Sequence, residues 1–284
     1  MFLPVLAFFI IFCYVPMAWL ASAFFDFVPR LGFAGSEFVG FKWFVDFFVK
    51  RDGWALIRNT FVLNVWDLAF SFASPIILAL LFFEVTNKKI RNTLQTISYI
   101  PHFISLVVVC GMIVQFCKSD GLFSNIASVL FDKKPSNILD KTSSYIPIFV
   151  ASQIWQEVGF ASVIYFAALC SVDTQLFDAA KIDGAGKFTQ IVKITIPSIM
   201  PTIVVMFILR MGGMLNVGFE KAFLLQTPLN SPISEVISTH VYNVGLKGQN
   251  FGYGTAIGLF NAVINLLFLL ITNRLSKKTE ASLF

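Results

Sequence analysis

Six runs of mostly apolar residues constrain this 284-residue chain more than any other feature it has. A helix crossing the hydrocarbon core of a bilayer needs about 20 apolar residues. Such runs lie near residues 2–24, 61–84, 98–117, 145–170, 200–218 and 254–273. In lipid every backbone N–H and C=O must be satisfied within its own segment, so the runs are read as helices. The expected fold class is all-α: one polytopic membrane domain over residues 1–284 with six transmembrane helices. Composition agrees, since only 13% of residues are charged, about half the share usual in soluble domains. The 34 Phe residues suit helices whose outer faces meet lipid.

Basic residues in the short connections orient the chain. Lys88, Lys89 and Arg91 follow the second run, Lys181, Lys187 and Lys193 the fourth, and Arg274, Lys277 and Lys278 the sixth. The opposite connections are longer and more dilute in charge, although Arg30, Lys42, Lys50, Arg51 and Arg58 fall in the first of them. The dense connections are therefore expected in the cytoplasm, with both chain ends inside. The net charge of +5 is read as this topology signal; no basic stripe indicates nucleic acid as a partner. Ala21-Ser22-Ala23 looks like a signal-peptidase site, but the run before it is long and lacks a basic start, so a retained first span is expected. Cys13, Cys110, Cys117 and Cys170 form no CxxC pair and are read as small apolar residues of the spans.

Polar residues within the spans are patterned. Asn64, Asp67, Ser71 and Ser74 recur at helical intervals, as do Gln153, Gln156 and Glu157, and later Asn261 and Asn265. Arg210 and Asn216 flank Gly212-Gly213. Ionisable groups at membrane depth are costly, so Asp67, Glu157 and Arg210 are expected to face the bundle interior or a hydrated cavity. Two readings stay open: polar groups joining helices, or a route for a polar solute. On the second, Arg210→Leu is expected to abolish uptake with the complex still assembled. In the first external loop, FKWFVDFFVK (41–50) reads as a short helix at the membrane surface, open to a partner or to lipid.

The stretch DAAKIDGAGKFTQIVKITIPSIMP (178–201) is polar between two apolar runs. A phosphate-binding loop would place Gly where Lys181 stands and Ser or Thr where Phe188 stands, so the match fails twice. Asp178 and Asp183 are five residues apart and diverge on a helix, and Asp178 has an i,i+3 partner in Lys181. His102 and His240 are read as solvated or helix-end residues. No catalytic residue and no metal set emerges. Asp173 is positioned to cap a helix from Thr174 to about Ile182, with Gly184 ending it. A second helix is expected to about Ile196, redirected by Pro197 and Pro201. Leu176, Phe177 and Ala180 would form an apolar patch with Ala179 beside it, suited to a groove on another protein.

This stretch resembles the EAA loop of ABC-importer permeases, whose pattern is EAA, three residues, Gly, nine residues, then I-x-L-P. Asp178-Ala179-Ala180, Gly184, Ile194, Ile196 and Pro197 fall on it with full spacing, Asp178 standing for Glu and Ile196 for Leu. SYIPHFIS (98–105), IWQEVGF (154–160) and LNVGFEKAFLL (215–225) extend the resemblance to carbohydrate permeases of the MalF type, closest to the LplB-like branch. The basic tail usual before the first span is missing here, and Gln226-Thr227-Pro228 replaces the branch's Tyr-Asn-Pro.

The resemblance implies a type I importer permease moving a sugar, an oligosaccharide or glycan fragment. Residues 171–200 would form the cytoplasmic coupling loop, with Leu176, Phe177, Asp178, Ala179, Ala180, Asp183, Gly184, Ile194 and Pro197 engaging an ATPase. The implied partners are a second, non-identical permease, two cytoplasmic ATPase subunits and an extracytoplasmic sugar-binding protein. ATP and Mg would sit on the ATPase, and the chain itself would hold no cofactor and be no enzyme. The candidate path residues are Asn64, Asp67, Ser71, Gln153, Gln156, Glu157, Arg210, Asn216, Asn261 and Asn265. The alternative from another class is a stand-alone ion-coupled transporter using Asp67, Glu157 and Arg210.

Overall fold

The computed structural model describes residues 2–49, 53–131, 134–215 and 218–276. In chain order the main helices are α1 (Phe2–Phe24), α2 (Lys42–Val49), α3 (Gly53–Glu84), α4 (Lys88–Tyr99), α5 (Leu106–Cys117), α6 (Leu122–Phe131), α7 (Thr142–Cys170), α8 (Thr174–Ile182), α9 (Lys187–Met211), α10 (Phe219–Leu225) and α11 (Phe251–Ser276). The one sheet among the described residues is a two-stranded antiparallel ribbon, β1 (Phe25–Asp26) with β2 (Glu37–Phe38), pairing Phe25 with Phe38. Among the described residues five helical stretches are long and apolar enough to cross a membrane: α1, α3, Leu106–Leu130, α9 and α11. Taken together with α8, which follows it at a 69° bend, α7 makes a sixth.

The core lies in three places. At one end Ala23, Trp43, Phe47, Tyr253 and Ile257 pack α1, α2 and α11 together. In the middle Leu63, Cys110, Tyr145, Phe149, Ala222 and Leu225 join α3, α5, α7 and α10. Toward the other end Ala79, Tyr165, Leu169 and Ile199 join α3, α7 and α9. Elsewhere the helices expose apolar side chains, most completely along α1, where Phe2 to Leu20 are exposed. Such faces suit lipid or another spanning subunit. Cys110 and Cys117 are buried as expected, whereas Cys13 and Cys170 are exposed; all four are free thiols.

Three expectations are corrected. The third apolar helix begins at Leu106, not 98, because Pro101 lies in a 3₁₀ turn (Ile100–Phe103) and Ile104 and Ser105 are extended. The fifth runs Lys187–Met211 and does not reach 218. Proline removes an N–H and crowds the carbonyl four residues back. The wider π turn Ile191–Thr195 ends two residues before Pro197, and the helix passes both Pro197 and Pro201 unbroken. Finally, α2 does not lie free on the surface: Trp43 and Phe47 are buried, and the Trp43 indole N–H donates to the Phe25 carbonyl at 2.9 Å.

α4 and the turn after it lie along α7. A Cβ on Gly159 would stand 1.9 Å from the Ser98 carbonyl oxygen. Only glycine lets the two backbones come this close, and the contact places His102 beside the middle of α7.

Candidate functional site

The polar stretch folds as a helical corner. Asp173 caps α8, its carboxylate accepting from the Gln175 N–H at 2.9 Å. Gly184 ends it at φ +76°, a left-handed conformation that costs residues with a Cβ. There the N–H groups of Gly184 and Ala185 return to the carbonyls of Lys181 and Ala180. Buried Gln190 donates to the Ala185 carbonyl at 2.8 Å, and Lys187 reaches Glu84 at 2.6 Å, fixing the corner to the ends of α9 and α3. Lys181 pairs with Asp178 at 2.9 Å, as its spacing predicts, with both side chains largely exposed.

The apolar patch is differently made. Phe177 and Ala180 are half-buried, and the Phe177 ring lies 6.0 Å from that of Phe83. The outward apolar side chains are Leu176, Ile182 (86% exposed) and Phe188 (79% exposed), beside exposed Asp178, Ala179 and Asp183. Ile194 is half-buried in the π turn and Pro197 exposed on α9, so both belong to the stem of the corner.

The second feature is a cavity of about 300 Å³ between α3, α7 and α9, lined by Ser71, Phe72, Gln153, Glu157, Tyr165 and Arg210 among others. Four candidate path residues thus meet at one place. Arg210 is ion-paired with Asp67, and the Ser71 hydroxyl donates to the other Asp67 oxygen at 2.9 Å. α3 passes through a π turn (Leu68–Phe72) directly after Asp67, which re-aims the side chains between them. Glu157 pairs with His102 Nδ1 at 2.8 Å, and that ring stacks on Phe160 at 4.1 Å. His102 stands in the last turn of the 3₁₀ element Ile100–Phe103 and His240 at the end of the short helix Ile237–His240, so both are helix-end residues as expected, though each is paired and not freely solvated. His240 bonds Glu235 at 3.0 Å and the Tyr253 hydroxyl at 3.1 Å.

Other candidates have structural duties. Asn64 donates to the Thr60 carbonyl at 2.6 Å and Gln156 to that of Ile104 at 3.1 Å. Asn265 accepts from the Leu215 N–H at 2.8 Å, holding the turn after α9. Asn261 lies half-buried on α11, away from the cavity lining. Asn216 lies outside the described residues. Among the described residues, two larger apolar grooves of about 500 and 430 Å³ and a more polar one of about 370 Å³ hold none of the candidates.

Sequence reasoning passed over Lys221. It is 1% exposed on α10, its ammonium 3.0 Å from the Gln153 side-chain oxygen and 5.0 Å from the face of Phe149. The signal was present: a lysine within FEKAFLL, an apolar segment between the last two spans. Among the described residues no group of His, Cys, Asp and Glu could hold a metal ion.

Comparison with known proteins gives this geometry a setting. Residues 71–281 match the family of binding-protein-dependent transport system inner membrane components. The polygalacturonan/rhamnogalacturonan transport system permease protein YteP of Bacillus subtilis (strain 168) is 41% identical, over 98% of this chain and 87% of its own length. LplB of the same organism is 38% identical over 98% of this chain and 87% of its own. A crystal structure of a bacterial ABC transporter involved in the import of the acidic polysaccharide alginate contains a chain 39% identical, with a TM-score of 0.90 over 98% of this chain and 93% of that one.

Proposed function

Because this chain belongs to the family of binding-protein-dependent transport system inner membrane components, we propose that it forms half of the path of an ATP-driven importer for oligosaccharides of acidic polysaccharides. The observation that carries the reading is the corner at α8: a capped helix with a glycine stop, displaying Leu176, Ile182 and Phe188 at the end of the bundle. A rigid helix with exposed apolar anchors suits a groove on a partner, and here the partner is the ATPase. ATP and Mg reside on two such ATPase subunits, and this chain is a non-catalytic transport component. A second, non-identical permease closes the cavity, and an extracytoplasmic binding protein delivers the sugar. α8 and both chain ends lie on the cytoplasmic side.

The substrate class rests on the names carried by YteP and the alginate transporter and on the donors of the cavity. Arg210 spends one nitrogen on Asp67, leaving further N–H groups for a carboxylate or hydroxyl. Transport follows if ATP and loaded binding protein each favour one of two bundle conformations, since a ligand that binds both equally shifts nothing. The ion-coupled alternative gains no support from a family whose transport depends on a binding protein.

Proteoliposomes holding the assembled transporter provide the test. Uptake of an acidic oligosaccharide is expected to require internal ATP and the binding protein and to persist when ionophores collapse all ion gradients. Uptake that follows an ion gradient without ATP would overturn the reading.

A further inference from the structure

The charges around the cavity are unevenly partnered. Asp67 has Arg210 and Ser71, and Glu157 has His102. Lys221 has no carboxylate within ion-pair distance among the described residues; its contacts are the Gln153 oxygen and the Phe149 ring. A buried cation held only by a neutral amide and a ring is costly, which calls for a reason beyond packing.

The bond to Gln153 has a chemical consequence. An ammonium only donates, so Gln153 must turn its carbonyl oxygen to Lys221, which settles which end of the amide is which. Its NH₂ group is then left for the cavity that Gln153 lines, and the bond that the oxygen accepts from the Lys221 ammonium polarises that NH₂ further. Lys221 also adds a cation to the neighbourhood of Asp67 and Glu157, both of which act on it electrostatically. Without Lys221 the net charge there would be more negative, and an anionic solute would meet more repulsion.

Resting on the substrate reading above, we propose that Lys221 is a positioning residue for acidic sugars: it holds Gln153 as a donor toward the cavity and adds positive charge beside Asp67 and Glu157, so that the path accepts a uronate carboxylate. Lys221 does not itself line the cavity, and it acts through Gln153 and through its charge.

The test compares trigalacturonate with the same trisaccharide after reduction of its carboxyls to alcohols, in proteoliposomes of the assembled transporter. Delivery is normalised by the binding protein's own affinity for each. The wild-type complex is expected to prefer trigalacturonate, and Lys221→Met to lower the ratio of the two uptake rates by about tenfold, the loss of one charge-assisted interaction. The loss should fall on the KM for trigalacturonate, and Lys221→Arg, which keeps a donor-only cation, should restore much of the ratio. The melting temperature of Lys221→Met in detergent should be unchanged or raised, because an apolar side chain replacing a buried charge is commonly neutral or stabilising. If Lys221→Met lowers both uptakes equally, or leaves the ratio intact, the role of Lys221 is overturned. If the wild-type complex does not take up trigalacturonate at all, the acidic-substrate reading fails first and this inference with it.

Discussion

Gly184→Val should abolish uptake while the spans remain folded. Gly184 sits at φ +76°, and a Cβ there would meet nothing within 4 Å, so any effect is conformational and not steric. The left-handed region costs an ordinary L-residue about 1–2 kcal/mol, and a β-branched one more. The chain can relieve that cost by unwinding the end of α8, which carries Ile182 at its last turn. The bonds from Gly184 and Ala185 to Lys181 and Ala180 would be lost with it. Gly184→Asn should retain most uptake, because asparagine enters this region more readily. That ordering, valine far below asparagine, separates a demand for backbone conformation from a demand for space. Uptake assays beside expression and melting measurements of the three proteins would check it; equal activity of the valine and asparagine variants would refute the backbone account.

Arg210→Leu should cost both transport and stability. The expectation from sequence was loss of uptake with assembly intact, but the structure pairs Arg210 with Asp67, whose side chain is 8% exposed. Removing one partner of a buried pair leaves an uncompensated charge. The penalty is on the order of 3 kcal/mol, the low end of the usual range because Arg210 itself is half-exposed. The melting temperature in detergent should fall accordingly. Adding Asp67→Asn to Arg210→Leu should recover most of that stability, since a neutral amide needs no cation, while uptake stays absent because the cavity has lost its guanidinium. An Arg210→Leu protein with wild-type melting and wild-type uptake would contradict both parts.

What could be read from the sequence was local. The cap at Asp173, the stop at Gly184 and the pairing of Asp178 with Lys181 each depend on residues within one or two turns, and each stands where expected. The membrane-spanning character followed from run length and composition, which need no tertiary knowledge. The ends of the spans did not, because a π turn before Pro197 lets a helix continue where proline alone signals a break.

The polar stripes were visible, but their division was not. Asn64 and Asp67 share a face of α3 and are one turn apart, yet one binds its own helix and the other an arginine 143 residues away. Lys221 stayed hidden because its burial arises only when α10 packs against α5 and α7, a matter of tertiary contact. The aromatic first loop misled for a similar reason: the rings of Trp43 and Phe47 look like interfacial anchors in sequence and are core in the fold.

The central claim is that α8 and the residue after its corner, Phe188, dock on an ATPase. Co-purification measures this most directly: the assembled transporter is isolated through a tag on this chain, with Ile182 and Phe188 both replaced by glutamate. Both positions are exposed, so the substitutions should leave the spans and the second permease in place. The account predicts that the second permease is recovered as with the wild-type chain and the ATPase subunits are lost. Recovery of the ATPase at the wild-type level would contradict it.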